Sequence, residues 1–353
     1  MEKPCILATT LGAPGGIYKC FAPCIEKHFT IIPYEWFVQR KAEFADKIQA
    51  LFVWGGVIKV DQNLLKSLPN LKAVVNGGVG VDHLDIPLIN SFGVKVSNTP
   101  HVVDNATADI GMSLMLASAR KIVEGESCSF LFRISSWFII LFSESIVNFF
   151  FYAGHNFSKF RESDDFPESS LGTDVSGATL GIIGMGRIGY KIAKRAQGFE
   201  MKILYHNRNR RPESDERAVG ATYCASMKEL LQRSDFVMVV VNLSPQTHKL
   251  IGPKEFAMMK PNSTFINVSR GLVVDQDALV DALQKKMIRA AALDVTYPEP
   301  LPRDHPLLSF PNVIILPHVG THTVETYQIM VERMVINALA AVTGGQLPDE
   351  VKA

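Results

Sequence analysis

The chain has 353 residues, a formal net charge of +1 and 47% hydrophobic residues, which predicts a two-domain protein with sizeable cores. A charge balance this close to neutral gives no reason to expect a nucleic acid or an anionic membrane as partner. The five cysteines lack metal-ligand spacing and the N-terminus lacks a signal peptide, so we expect reduced thiols, no metal site and a cytoplasmic protein.

The first hundred residues alternate short strands with helices. The predicted strands are Ile6–Thr9, Ala50–Val53 and Ala73–Asn76, and the predicted helices are Pro33–Ala45 and Asp61–Ser67. The third strand runs into Asn76-Gly-Gly-Val-Gly-Val-Asp82, a glycine-rich turn whose backbone amides can bind a small anion. The pattern predicts an α/β domain that ends near Asn98-Thr-Pro100, before an apolar helix over Ala106–Ile122.

Residues 126–154 are rich in Phe and Ser and do not fit this alternation. Their longest uninterrupted apolar run, Trp137 to Phe142, is six residues; a membrane-spanning helix needs about 20. Three interpretations remain: a partner-binding amphipathic insert, a Phe-rich loop that exposes an apolar patch, and an unspliced intron. We favour the intron, because Gly125-Glu-Ser127 and Ala153-Gly154 can be encoded by splice-donor-like and splice-acceptor-like codons.

A glycine motif between a strand and a helix predicts a dinucleotide-binding site. The strand Leu180–Ile183 leads into Gly184, Gly186 and Gly189, the helix Arg187–Gln197 follows, and a second strand is predicted over Met201–Tyr205. The first glycine allows the tight turn, the second allows close approach of a pyrophosphate, and the third lets the helix pack on its strand. Free N–H groups at the helix start, at Arg187 and Ile188, would face the phosphates.

The residues after the second strand bear on which dinucleotide is bound. An NAD site usually has Asp or Glu there, whereas this chain has His206-Asn-Arg-Asn-Arg-Arg211. Arg208 and Arg210, with Asn207 beside them, are suited to a 2′-phosphate, so NADP(H) is the preferred cofactor and NAD(H) a possible one. The alternative is that the arginines form a solvated surface cluster.

Three polar residues follow later strands of the same region. Strands are predicted over Phe236–Val241, Thr264–Asn267, Ala291–Asp294 and Val313–Leu316, before a final helix Val324–Val342. Arg270, Glu299 and His318 come after the second, third and fourth of these strands. Because an open parallel sheet binds ligands at the carboxyl ends of its strands, the three residues are candidates for one site.

The sequence resembles the D-isomer-specific 2-hydroxyacid dehydrogenase family, and within it the glyoxylate/hydroxypyruvate reductases. The similar stretches are Gly80–Asp85, Asn98–Pro100, Gly181–Gly189, Phe265–Gly271, Ala292–Pro302 and Ile315–Gly320. The resemblance implies an α/β fold of two Rossmann-like doubly wound parallel-sheet domains, with the active site in the cleft between them and a homodimer as the assembly. Residues 1–100 and 322–353 would form the substrate-binding domain, and residues 101–321 the nucleotide-binding domain.

The resemblance also implies roles for individual residues. Arg270, Glu299 and His318 would be catalytic, and the amides of Val79 and Gly80, together with Arg270, would bind the substrate. Thr107, Asp294, His318 and Gly320 would contribute to the cofactor site. The implied activity is the NADPH-dependent reduction of a small 2-keto acid to the 2-hydroxy acid by hydride transfer.

The sequence leaves two alternatives to an active reductase open. Related corepressors use the same fold as dinucleotide-sensing binding proteins and keep a similar Arg/Glu/His set. The insertion at residues 126–154 could also leave this chain inactive. The basic residues after the second strand of the glycine motif favour the enzyme.

Overall fold

A computed structural model describes residues 3–9, 11–12, 16–55, 57–122, 168 and 171–352. The segment 126–154, with its competing interpretations, lies outside the described residues. The chain divides into two compact units, the first made of residues 1–103 and 321–353 and the second of residues 104–320.

The first unit is built on a five-stranded parallel sheet. Its strands are β1 (Cys5–Ala8), β2 (Thr30–Pro33), β3 (Ile48–Val53), β4 (Ala73–Asn76) and β5 (Lys95–Ser97). Its helices are α1 (Ala22–Glu26), α2 (Tyr34–Gln39), α3 (Lys41–Phe44), α4 (Gln62–Lys66), α5 (Ile86–Ser91) and, at the end of the chain, α12 (Val324–Val342). The strand order is β2-β1-β3-β4-β5, and every pairing is parallel.

Both faces of this sheet are covered, which explains why its strands are apolar throughout. Phe52 on β3 packs with α1 and α12 on one face, whereas its neighbours Leu51 and Val53 pack with α4 and α5 on the other. The period of two along a strand assigns these alternate residues to the two cores. Because α12 supplies much of the first core, the C-terminal segment is an integral part of this unit.

The second unit is built on a seven-stranded parallel sheet. Its strands are β6 (Thr179–Ile183), β7 (Lys202–His206), β8 (Ala221–Tyr223), β9 (Phe236–Val239), β10 (Thr264–Asn267), β11 (Ala290–Leu293) and β12 (Val313–Ile315). Its helices are α6 (Asp104–Ala119), α7 (Arg187–Ala196), α8 (Glu213–Val219), α9 (Met227–Arg233), α10 (Pro253–Met258) and α11 (Gln276–Gln284).

The strand order of this sheet is β12-β11-β10-β9-β6-β7-β8. The chain runs outward from β6 to β8, then returns to the other side of β6 and continues to β12. Strand order therefore reverses between β6 and β9, and a doubly wound sheet binds its ligand outside the carboxyl ends of the strands at such a switch point. The glycine motif follows β6 at this point. The expected fold, two Rossmann-like parallel-sheet units, is confirmed.

One expected helix is broken. The prediction over residues 33–45 is wrong in this respect, because Arg40 adopts φ −130° and separates α2 from α3. The guanidinium of Arg40 lies over the rings of Trp36 and Phe44, at 5.4 and 4.9 Å. Cation–π contacts to residues on both sides thus accompany the bend.

A membrane-spanning helix must be long and apolar enough to cross a bilayer. None of the helices in residues 3–122 or 171–352 combines enough length with enough apolar character to cross a membrane.

Candidate active site

The loop after β6 depends on the absence of side chains at its glycines. Gly184 has φ +98°, and a Cβ there would lie 2.5 Å from the carbonyl oxygen of Val240. A Cβ on Gly189 would lie 2.5 Å from the carbonyl oxygen of Gly184, so only glycine lets α7 begin this close to the strand. Gly186 differs, because a Cβ there would meet nothing within 4 Å and would project into open space.

The start of α7 has the features of an anion site. Gly186 is its N-cap and no side chain caps the helix, so the first amides, including those of Arg187 and Ile188, are available to an external acceptor. Arg187 is held at this end by Asp104, whose Oδ2 lies 3.2 Å from the arginine Nε. The open space at Gly186 together with uncapped amides fits a dinucleotide pyrophosphate.

The basic residues after β7 are not equivalent. Arg210 donates from Nε and Nη2 to the two oxygens of Glu216, at 2.8 and 2.7 Å. Arg211 donates to Asp215 and to the carbonyl of Met185. Arg208 is exposed and has no ion-pair partner among the described residues. Arg208 is therefore the guanidinium best placed to attract an anion.

Asn207 supports the glycine loop directly. Its Oδ1 accepts from the N–H of Met185 at 2.6 Å, and its Nδ2 donates to the carbonyl of the same residue at 3.3 Å. Met185 is the residue between the first two glycines of the motif. The side-chain amide of Asn207 is thus committed to holding the loop, and a contact with the cofactor would have to come from its backbone.

Arg270 follows β10 in a turn that Asn267 fixes. The buried Asn267 accepts from the backbone and hydroxyl of Ser269 and donates to the carbonyl of Arg270 at 3.0 Å. The next residue, Gly271, passes very close to the loop after β11, since a Cβ there would lie 1.9 Å from the carbonyl oxygen of Thr296. This close passage brings the Arg270 turn and the loop that carries Glu299 side by side.

Glu299 and His318 form the central pair of the site. The ring Nδ1 of His318 lies 2.9 Å from Oε2 of Glu299, and Oε1 of Glu299 accepts from the N–H of Thr296 at 3.1 Å. The side chain of His318 is 45% exposed and that of Glu299 is 38% exposed, so a substrate can reach them. With Nδ1 bonded to the carboxylate, Nε2 is the ring nitrogen that remains for proton transfer.

The surroundings of His318 raise its pKa above the ordinary value of 6.5. Burial alone would lower the pKa, but the hydrogen bond and charge of Glu299 and the charge of Asp294 outweigh it, while the positive charge of Arg270 opposes them. Glu299, Asp294 and Arg270 therefore all act electrostatically on His318, and their net effect favours the imidazolium form.

Asp294 fixes the backbone around His318. Its buried carboxylate accepts from the N–H groups of Val319 and Gly320, at 2.8 and 3.0 Å, and its carbonyl accepts from the N–H of His318. Desolvation raises the pKa of this carboxyl despite the two amide bonds. A Cβ on Gly320 would lie 3.0 Å from Asp294 and 3.4 Å from Thr107, so these three predicted cofactor residues lie together.

The glycine-rich turn of the first unit is held by its carbonyl groups. Asn76 donates to the carbonyls of Gly78 and Gly80, both at 2.9 Å, and Asn98 donates to that of Val79 at 2.9 Å. The N–H groups of Val79 and Gly80 have no acceptor among the described residues. With the carbonyls occupied, the turn presents amides to a ligand, as an anion site requires.

The predicted site residues are divided between the two units. Arg270, Glu299, His318, Asp294, Gly320 and Thr107 converge in the second unit, whereas Val79 and Gly80 belong to the first. Sequence reasoning missed the side chains that orient these residues. Asn76 and Asn98 hold the turn of Val79 and Gly80. Asn267 holds the backbone of Arg270, and Glu216 holds the guanidinium of Arg210. Asn267 at the end of a buried strand was the clearest available signal, because a buried amide must find hydrogen-bond partners.

Comparison with known proteins identifies the family to which this architecture belongs. Residues 153–320 match the model of the D-isomer specific 2-hydroxyacid dehydrogenase, NAD binding domain. The chain is 40% identical over 290 residues to glyoxylate reductase of Thermococcus litoralis, covering 82% of this chain and 79% of that protein. The chain belongs to the D-isomer-specific 2-hydroxyacid dehydrogenase family and is an oxidoreductase that binds a nicotinamide dinucleotide.

Further relatives agree with this assignment. Glyoxylate/hydroxypyruvate reductase B of Escherichia fergusonii is 39% identical over 325 residues, covering 91% of this chain and 90% of that protein. An NADPH-dependent glyoxylate/hydroxypyruvate reductase from Sinorhizobium meliloti, solved with NADP and malonate, superimposes with a TM-score of 0.78 at 29% identity. That likeness covers 99% of this chain and 97% of the solved one.

The close passage at Gly271 makes a direct prediction. Gly271→Ala must displace Thr296 and with it Glu299, so we expect a loss of about 1–3 kcal/mol in the free energy of unfolding and a lower His318 pKa. Urea unfolding and NMR titration of the histidines measure both. Gly198→Ala is the control, because a Cβ there meets nothing within 4 Å and should change neither. A Gly271 variant that behaves like the control would show that the passage is not constraining.

Proposed function

We propose that the chain reduces a small 2-keto acid, glyoxylate or hydroxypyruvate, to the 2-hydroxy acid with NADPH as the preferred cofactor. The observation that carries the proposal is the Glu299–His318 pair beside Arg270, in a chain whose relatives are reductases of this kind. We also propose a homodimer, on family resemblance, and a cytoplasmic location, on the cysteine usage, with the first unit binding substrate.

The chain's own residues would bind the carboxylate of a 2-keto acid and polarise its keto oxygen. The amides of Val79 and Gly80 would bind the carboxylate, since the carbonyls of that turn are already occupied. Arg270 would polarise the keto oxygen without exchanging a proton, because guanidinium stays charged at any working pH. The bound cofactor supplies the hydride.

His318 would supply the proton. The keto oxygen gains negative charge during reduction, and Nε2–H of the imidazolium would donate to it. Glu299 raises the pKa of the ring and, by bonding Nδ1, would leave Nε2 to face the substrate. In the oxidative direction the neutral imidazole would accept the same proton.

The dinucleotide would be held by residues of the second unit. The amides of Arg187 and Ile188 with Gly184, Gly186 and Gly189 suit the pyrophosphate, and Asp294, with Thr107 and Gly320 beside it, suits the nicotinamide carboxamide. Arg208 supports the preference for a 2′-phosphate, because it is the arginine after β7 that no carboxylate neutralises among the described residues.

A substrate screen tests the proposed reaction. Glyoxylate, hydroxypyruvate, pyruvate and a bulky aromatic 2-keto acid should be assayed with NADPH and NADH, using the full chain and a variant lacking residues 126–154. We expect glyoxylate and hydroxypyruvate with NADPH to give the highest kcat/KM.

His318→Ala should reduce kcat by about 10²- to 10⁴-fold, because it removes the proposed proton donor. Activity that survives this substitution would remove His318 from the reaction.

The pH profile tests the pairing of Glu299 with His318. Reduction requires the imidazolium, so the rate falls as pH rises through the His318 pKa, and the present raised pKa extends activity to higher pH. Glu299→Gln removes the anion and should move the alkaline limb of kcat/KM to lower pH. Glu255→Gln, which changes a carboxylate on α10, should leave the limb in place. A limb unmoved by Glu299→Gln would contradict the pairing.

Cofactor choice is tested at Arg208. Arg208→Ala should lower kcat/KM for NADPH by about 10- to 100-fold, the loss of a charge-assisted contact, and leave that for NADH nearly unchanged. Arg217→Ala is the matched control, since this arginine is 74% exposed on α8 and pairs only with Glu213 there. Equal losses with both cofactors, or a wild type that prefers NADH, would refute the preference.

A further inference from the structure

The carboxylate of Glu216 is buried beneath the basic loop that follows β7. Glu216 is 5% exposed and Tyr205, the residue before the end of β7, is fully buried. The hydroxyl of Tyr205 donates to Oε1 of Glu216 at 2.5 Å and accepts from the backbone N–H of Arg211 at 2.9 Å. A buried carboxylate is costly unless it is paired, and here a phenol and a guanidinium pair it.

The carboxylate is ionised at neutral pH. Hydrogen bonds from Arg210 and Tyr205 lower the pKa of Glu216 to about 2, although desolvation acts in the opposite direction. The carboxylate of Glu216 therefore provides a fixed negative anchor for Arg210. The phenol also connects Glu216 to the backbone of Arg211, so the anchor and the end of the basic loop are held together.

This anchor determines which edge of Arg210 faces outward. Nε and Nη2 donate to the two oxygens of Glu216, and the guanidinium lies 5.6 Å from the ring of Tyr223. The Nη1 edge has no acceptor among the described residues, and 58% of the side chain is exposed. A bidentate pair fixes the plane of a guanidinium, so the remaining donors point in one direction.

We infer that Glu216 and Tyr205 are positioning residues for NADP(H) selectivity: they hold Arg210 so that its Nη1 edge is presented to the 2′-phosphate of the cofactor. The inference rests on the proposed use of NADPH. Glu216 neutralises most of the attraction that Arg210 exerts at a distance, so Arg208 supplies the unscreened charge. What Glu216 supplies is order, because a flexible arginine loses rotamer freedom on binding and a held one has already lost it.

Loss of a purely structural pair would weaken the binding of both cofactors alike. Loss of a positioning pair would weaken only the binding of NADPH, which carries the 2′-phosphate. The probes are therefore 2′,5′-ADP and 5′-AMP, titrated by calorimetry into the full chain, alongside kcat/KM for NADPH and NADH. We expect Glu216→Gln to raise the Kd of 2′,5′-ADP by about tenfold and to leave that of 5′-AMP within about twofold. The ratio of kcat/KM for the two cofactors should fall by a similar factor.

Two further variants keep the test decisive if Glu216→Gln folds poorly. Tyr205→Phe keeps the carboxylate and should shift the same ratio in the same direction by a smaller factor. Asp281→Asn, which changes a carboxylate that is 60% exposed on α11, should leave the binding of both ligands unchanged. Arg208→Ala, measured in parallel, reports on the proposed cofactor preference itself.

The outcomes separate the two proposals. If Arg208→Ala abolishes a preference that Glu216→Gln and Tyr205→Phe leave intact, the positioning role is wrong and the NADPH assignment stands. Equal weakening of 2′,5′-ADP and 5′-AMP by Glu216→Gln would make the pair structural, and tighter binding of 2′,5′-ADP would mean that the carboxylate repels the phosphate. A wild type that binds 5′-AMP as tightly as 2′,5′-ADP would overturn both proposals.

Discussion

One close backbone contact underlies the arrangement of the proposed catalytic residues. Gly271 passes so near the carbonyl of Thr296 that no side chain fits between them, and this places the turn of Arg270 against the loop of Glu299. The two segments follow β10 and β11, which are adjacent and parallel, so the sheet delivers them to the same edge. His318, after the neighbouring β12, completes the group, because Asp294 binds its backbone and the next two amides.

Carboxylates organise the second unit in two different ways. Asp294 and Glu216 are buried and hold other groups in place, one through backbone amides and the other through a guanidinium and a phenol. Glu299 is exposed, and its effect is on the protonation of His318. The two buried carboxylates thus act mainly through the groups that they hold, although the charge of Asp294 also raises the pKa of His318.

Much of the fold could be predicted from sequence because the parallel strands are apolar on both faces and the glycine motif has a mechanical cause at each position. The Arg270, Glu299 and His318 triplet could be predicted from its place after successive strands. The pairing of Arg210 with Glu216 could not, because it requires α8 to pack on β7, and a helix of seven residues gives little periodic signal. The break at Arg40 likewise depends on contacts with Trp36 and Phe44.

We propose that His318 protonates the keto oxygen while Glu299 accepts a hydrogen bond from its Nδ1. A crystal structure with NADP and oxamate, a planar unreactive analogue of a 2-keto acid, tests it most directly. We expect the amide carbonyl oxygen of oxamate at about 3 Å from Nε2 of His318, with Nδ1 still bonded to Glu299. Oxamate bound away from Nε2, or a His318 ring turned from Glu299, would contradict it.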